Sequence, residues 1–72
     1  MAMWEYKTAR VVRSGDTEQL MRETRDVLDN NGAQGWELVS AVPNHFTRMT
    51  TRQGLQVSLE ELEMLLFFKR AL

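Results

Sequence analysis

Residues 63–70, EMLLFFKR, constrain this chain more than any other stretch. Read as a strand, the run points Met64, Leu66 and Phe68 to one side and Leu65 and Phe67 to the other. A strand that is apolar on both sides asks for cover on both faces of its sheet. The rest of the chain must supply that cover or leave a face open.

Only one segment reads firmly as helix. Residues 17–31, TEQLMRETRDVLDNN, place Leu20, Met21, Thr24, Val27 and Leu28 on one stripe. Asp16 is positioned to cap the N-terminus, with Gln19 three residues on. Glu18, Arg22 and Asp26, and Arg25 with Asp29, occupy the other face at spacings of four. Such exposed pairs add only ~0.2–0.5 kcal/mol each, so the helix depends on burying its stripe. Gly32 follows directly and suits the left-handed residue just past a helix end.

Two further segments read as strands. In residues 3–13, Trp4, Tyr6 and Thr8 share one face and Glu5, Lys7 and Ala9 the other, before SGD breaks the run. In residues 36–42, Trp36, Leu38, Ser40 and Val42 alternate with Glu37, Val39 and Ala41, and the dipeptide PN ends the strand. The fold expected is α+β: a small three-stranded antiparallel sheet in the order β-α-β-β, with one helix on one face. A strand–helix–strand crossover leaves room for the last strand between the first two.

Residues 43–62 admit two readings. In one, the strands continue as a long hairpin that turns at residues 52–54, RQG, and pairs Leu38 with Phe68 and Val42 with Met64. In the other, SLEELEML is a helix with Ser58 and Glu61 as a capping box. The helical propensity of LEEL favours a strand beginning only at about Glu63, preceded by a short helical turn or an irregular arm.

Size sharpens the question of cover. Seventy-two residues make one small domain, 1–72, and a chain this short is marginal alone. It has no cysteine and one histidine, His45, so disulfides, thiolate zinc sites and a histidine-rich metal site within one chain are excluded. Association of copies is the remaining support. A net charge of −1 gives no basic field to recruit nucleic acid. No run approaches the ~20 apolar residues of a membrane span, and the start, MAMWEYK, is no signal peptide. The chain reads as cytosolic, with no membrane association.

WEYK near the N-terminus, NGAQGWELVSAVP in the middle and LFFKR at the end are similar to the motifs of a small bacterial and phage family, the domain of unknown function numbered 4177. The resemblance spans the chain in order, and residues 44–62 are its least typical part. It implies a strand–helix–strand–strand domain. It transfers no catalytic residue, because the family has no assigned chemistry.

The candidates for chemistry are thin. GAQG follows a helix and precedes a strand, the reverse of a phosphate-binding loop, and a helix C-terminus repels anions. Gly32 as a cap and Gly35 as a tight turn account for it. His45 has no recognisable nucleophile or orienting acid and reads as a solvated loop residue. HFTRMTTRQ carries His45, Phe46, Arg48 and Arg52 with no acid, a weak phosphate-binding pattern or a solvated arm. Trp4 and Trp36 read as core or interface anchors. Glu60, Glu61 and Glu63 read as a solvated face without metal-loop spacing. No metal, cofactor or catalytic residue is expected.

One helix covers one face of a three-stranded sheet. Val39, Leu65 and Phe67 then lie on an uncovered face, and an apolar patch of that kind marks an interaction surface. The expectation is a non-enzymatic, homo-oligomeric accessory protein that acts by binding a protein partner. The alternative is a binder of a phosphorylated molecule, such as a signalling nucleotide, at or near a subunit interface. A fold-back of residues 43–62 over the open face would remove the need for a partner copy.

Overall fold

The computed structural model describes residues 3–14 and 16–72. Strand β1 spans Trp4–Ser14, helix α1 Thr17–Ala33, strand β2 Glu37–Arg52 and strand β3 Leu55–Ala71. The fold is therefore α+β in the order β-α-β-β. All three strands are antiparallel in one sheet with the order β1-β3-β2, so the last strand does lie between the first two.

The helix begins as its residues dictate. Asp16 Oδ1 accepts a hydrogen bond from the Gln19 amide at 3.0 Å. Leu20 and Thr24 are buried, and Val27 and Leu28 half-buried. Met21 is exposed, so the buried stripe is narrower than the spacing suggests. Asn31 completes it instead: its side-chain amide donates to the Val27 carbonyl at 2.7 Å, which lets a polar residue sit inside. The expected end at Gly32 is not the end. Gly32 lies within α1, which runs on to Ala33 with Gln34 as its C-cap. Gly35, at φ 86°, is the left-handed residue that turns the chain into β2. Gly15, part of the expected break after β1, lies outside the described residues.

The larger correction concerns residues 43–62. No helical turn and no irregular arm precede Glu63. The long hairpin forms instead, paired from Ser40↔Phe67 to Arg52↔Leu55. Gln53 (φ 51°) and Gly54 (φ 76°) both take positive φ, the backbone of a two-residue hairpin turn. LEEL has helical propensity, but propensity is a weak preference, and a ladder already started by Leu38↔Phe68 adds hydrogen bonds with each further pair. Ser58 consequently faces Met49 across the strands and caps nothing. Pro43 does not end β2 either. β2 is an outer strand, where a missing N–H need leave no ladder bond unmade.

Leu38 pairs with Phe68 as expected, but Val42 pairs with Leu65 rather than Met64. A β-bulge between Leu38 and Ser40 inserts one residue and shifts the later register by one. Without it, every β2 side chain beyond the bulge would change face.

Helix α1 covers one side of the sheet. Val11, Leu66 and Phe68 meet Leu20 there, and Phe68 is only 1% exposed. Arg13 of β1 ion-pairs with Glu23 of α1 at the edge of this core. β1 stops pairing at Ser14↔Glu61, so β2 and β3 run on as a two-stranded arm. The arm extends away from the body and does not fold back over the sheet, which gives the molecule extents of 58 × 22 × 16 Å.

Candidate functional site

The sheet face opposite α1 is the candidate site. Strand alternation assigns its residues. β1 contributes Trp4, Tyr6, Thr8, Arg10 and Val12; β3 contributes the odd-numbered residues from Leu55 to Lys69. Beyond the bulge, β2 contributes Ser40, Val42, Asn44, Phe46, Arg48, Thr50 and Arg52, with Glu37 before it. Trp4, Tyr6, Val42, Phe46, Leu55 and Phe67 are all exposed there. Phe67 is 38% exposed beside a Phe68 that is fully buried on the other side. The adjacent phenylalanines mark the two faces.

Two carboxylates sit in the middle of this face. Glu61 is 5% and Glu63 8% exposed, so neither belongs to the solvated face that their spacing with Glu60 suggested. They lie on the central strand, and Glu63 is reached by long side chains from both neighbouring strands. Arg10 of β1 ion-pairs with Glu63 through Nε, and the Asn44 side-chain amide donates to Glu63 Oε1 at 3.1 Å. The Arg10 hydrogen bond, then that of Asn44, holds the Glu63 carboxyl below the ordinary glutamate range, against the opposing effect of burial. Arg48 Nη1 lies 4.0 Å from Glu61 Oε1.

The residues singled out in the sequence fall as follows. Phe46, Arg48 and Arg52 share the open face, while His45 lies on the opposite one against Glu60. The absence of acids from HFTRMTTRQ is filled by pairing, because β3 brings Glu60 and Glu61 alongside. Leu65 and Phe67 are on the open face; Val39 is the unpaired residue at the bulge and is exposed. Glu60 stands between His45 and Thr47, whose hydroxyl donates to Glu60 Oε1 at 3.4 Å. In a catalytic triad the imidazole stands between hydroxyl and carboxylate. Here the carboxylate is in the middle. Among the described residues no three His, Asp or Glu side chains group to hold a metal. Among the described residues no helix is long and apolar enough to cross a membrane.

Sequence reasoning missed Arg10, Asn44 and the burial of Glu61 and Glu63. A carboxylate flanked by apolar residues on an alternating strand was the available signal. Its partners come from strands 53 and 19 residues away in the chain, so spacing could not find them.

The motif residues meet at the far end of the sheet from the arm. Arg70 donates from Nε to Glu5 Oε1 at 2.6 Å and from Nη1 to the Gln34 carbonyl at 3.0 Å. Its guanidinium carbon lies 4.2 Å from the centre of the Trp36 ring, and Lys7 Nζ lies 5.3 Å from the same ring. Lys69 Nζ lies 4.4 Å over Trp4 on the open face. Trp36 is thus half-buried among cations beside the turn, and Trp4 remains exposed. WEYK, GAQGWE and FKR bind one another, which explains their presence structurally without a ligand.

The model of a domain of unknown function, DUF4177, matches residues 4–71. No curated protein and no solved structure matches the chain. With nearly its whole length matched, the chain belongs to the DUF4177 family, a domain of unknown function.

Proposed function

We propose that this chain is a non-enzymatic binding module that works as a homo-oligomer, assembled through the sheet face opposite α1. One observation carries the reading. Trp4, Tyr6, Val42, Phe46 and Phe67 lie exposed on a continuous face that none of the described residues covers. Monomeric proteins seldom leave a large contiguous apolar surface to water. The arm adds support. A two-stranded ribbon is marginal in water until a further layer packs on it. The carboxylate-centred order of His45, Glu60 and Thr47 offers no activated nucleophile, so an enzymatic role is not part of the reading.

Sedimentation velocity across concentrations tests it. A dimer or larger species at micromolar concentration is expected, and a monomer mass at high micromolar concentration overturns the reading.

A phosphorylated small molecule at the same interface is the second reading. It is favoured by Phe46, Arg48 and Arg52 sharing the open face, and it leaves His45 aside. A nucleotide that binds there raises the melting temperature by mass action. A nucleotide panel that produces no shift removes this reading and leaves the first intact.

A further inference from the structure

The open face carries eight β2↔β3 pairs, and the end of β1 at Ser14↔Glu61 separates arm from body. The arm carries three: Arg48↔Leu59, Thr50↔Val57 and Arg52↔Leu55. The body carries five: Phe46↔Glu61, Asn44↔Glu63, Val42↔Leu65, Ser40↔Phe67 and Glu37↔Lys69. The arm of one copy therefore matches the three outermost body pairs of another, with Phe46↔Glu61 and Asn44↔Glu63 at the middle.

Charge picks the direction. Glu37 is the first residue of β2 and Arg52 the last, both exposed on the same face. Among the described residues neither forms an ion pair, and Lys69, opposite Glu37, is held over the Trp4 ring. One strand thus presents an unneutralised negative end and an unneutralised positive end. Parallel overlap face to face lays β2 of one copy on β1 of the other and leaves Glu37 and Arg52 apart. Antiparallel overlap sets Arg52 on Glu37 twice, once at each end. A chain cannot satisfy itself this way, because the ladder from Ser40↔Phe67 to Arg52↔Leu55 is unbroken and its two ends cannot meet.

We propose that two copies of this chain clasp face to face with antiparallel strands, each arm lying on the body of the other. The inference rests on the self-association reading and names its geometry. Arg52 of each copy meets Glu37 of the other, Val57 packs on Phe67, and Leu59 packs on Leu65, with the sheets about 10 Å apart. Near the two-fold axis, Glu61 and Glu63 come level with each other. Each already has an arginine of its own chain beside it, Arg48 for Glu61 and Arg10 for Glu63. The apolar side of the arm and the apolar side of the body cover one another, and both open surfaces leave water together.

The chain contains no cysteine, so single thiols can be placed cleanly. Glu37→Cys and Arg52→Cys chains are purified separately, mixed and joined with a short bis-maleimide, which spans the gap between facing sheets that a disulfide does not, and the products weighed by intact mass spectrometry. Within one chain the two positions are separated by most of a 16-residue strand, roughly 45–50 Å, so any such cross-link is between chains. The expected product is the mixed covalent dimer in clear excess over same-variant dimers. A statistical mixture, or no mixed dimer, overturns the arrangement.

Charge reversal gives a second readout at exposed positions. Glu37→Arg and Arg52→Glu each weaken association at least tenfold, by setting like charges opposite at both ends. An equimolar mixture recovers wild-type association, since the mixed dimer has opposite charges at both contacts. No recovery overturns the arrangement. A wild-type chain that sediments as a monomer removes the self-association reading itself. A wild-type dimer without mixed cross-links or recovery removes only the clasp.

Discussion

Arg10 of β1 and Glu63 of β3 form an ion pair across adjacent strands on the side of the sheet away from the helix. Glu63 also accepts from Asn44 of β2, so one carboxylate joins all three strands. Its side chain is shielded by the residues around it, while that of Arg10 is more than half exposed. The pair therefore acts as a bolt through the sheet rather than as a surface ornament.

This bolt predicts a pH dependence. The folded-state pKa of Glu63 lies below its ordinary value of 4.5. The unfolded chain thus binds a proton at this site more readily than the folded one. The stabilisation is fully present above about pH 5 and is lost as pH falls through the folded value. Thermal melts between pH 7 and pH 3 should show this loss, and Glu63→Gln should flatten part of that slope. An unchanged slope in Glu63→Gln would show that other carboxylates carry the dependence.

The two glycines of the helix–strand joint predict opposite outcomes. Gly32 is helical, and an added Cβ meets nothing within 4 Å. Gly32→Ala should stabilise the fold by ~0.4–1 kcal/mol, mostly by restricting the unfolded chain. Gly35 has φ 86°, and its added Cβ would lie an ordinary 3.5 Å from Arg70 Cδ. The obstacle there is backbone conformation rather than space, so Gly35→Ala should cost ~1–2 kcal/mol. Chemical denaturation of the two variants decides it; destabilisation by Gly32→Ala would return the helix end to Gly32.

The neighbouring phenylalanines separate stability from association. Phe68→Ala removes the most buried aromatic ring and should cost ~3–5 kcal/mol, enough to unfold a domain of this size. Phe67→Ser should cost roughly 1 kcal/mol or less, measured at dilution where the chain is monomeric. At high concentration Phe67→Ser should instead shift the sedimentation profile towards monomer. A Phe67→Ser chain that associates as wild type does would remove Phe67 from the interface.

The sequence by itself determined the elements and their order. Leu20, Thr24, Val27 and Leu28 fixed the helix and its buried side, and Asp16 fixed its start, because local spacing and a cap depend on residues within a few positions. Alternation in EMLLFFKR fixed a strand with two apolar faces, and the crossover argument placed it at the centre. Three things were decided only by the tertiary structure. The bulge beside Val39 set which β2 residues face outward, and one unpaired residue leaves no periodic trace. The arm formed because an established ladder extends, overriding the helical preference of LEEL. Glu61 and Glu63 became buried on the central strand, where Arg10 and Asn44 reach Glu63 from the strands on either side, and contacts across such separations have no signature in residue spacing.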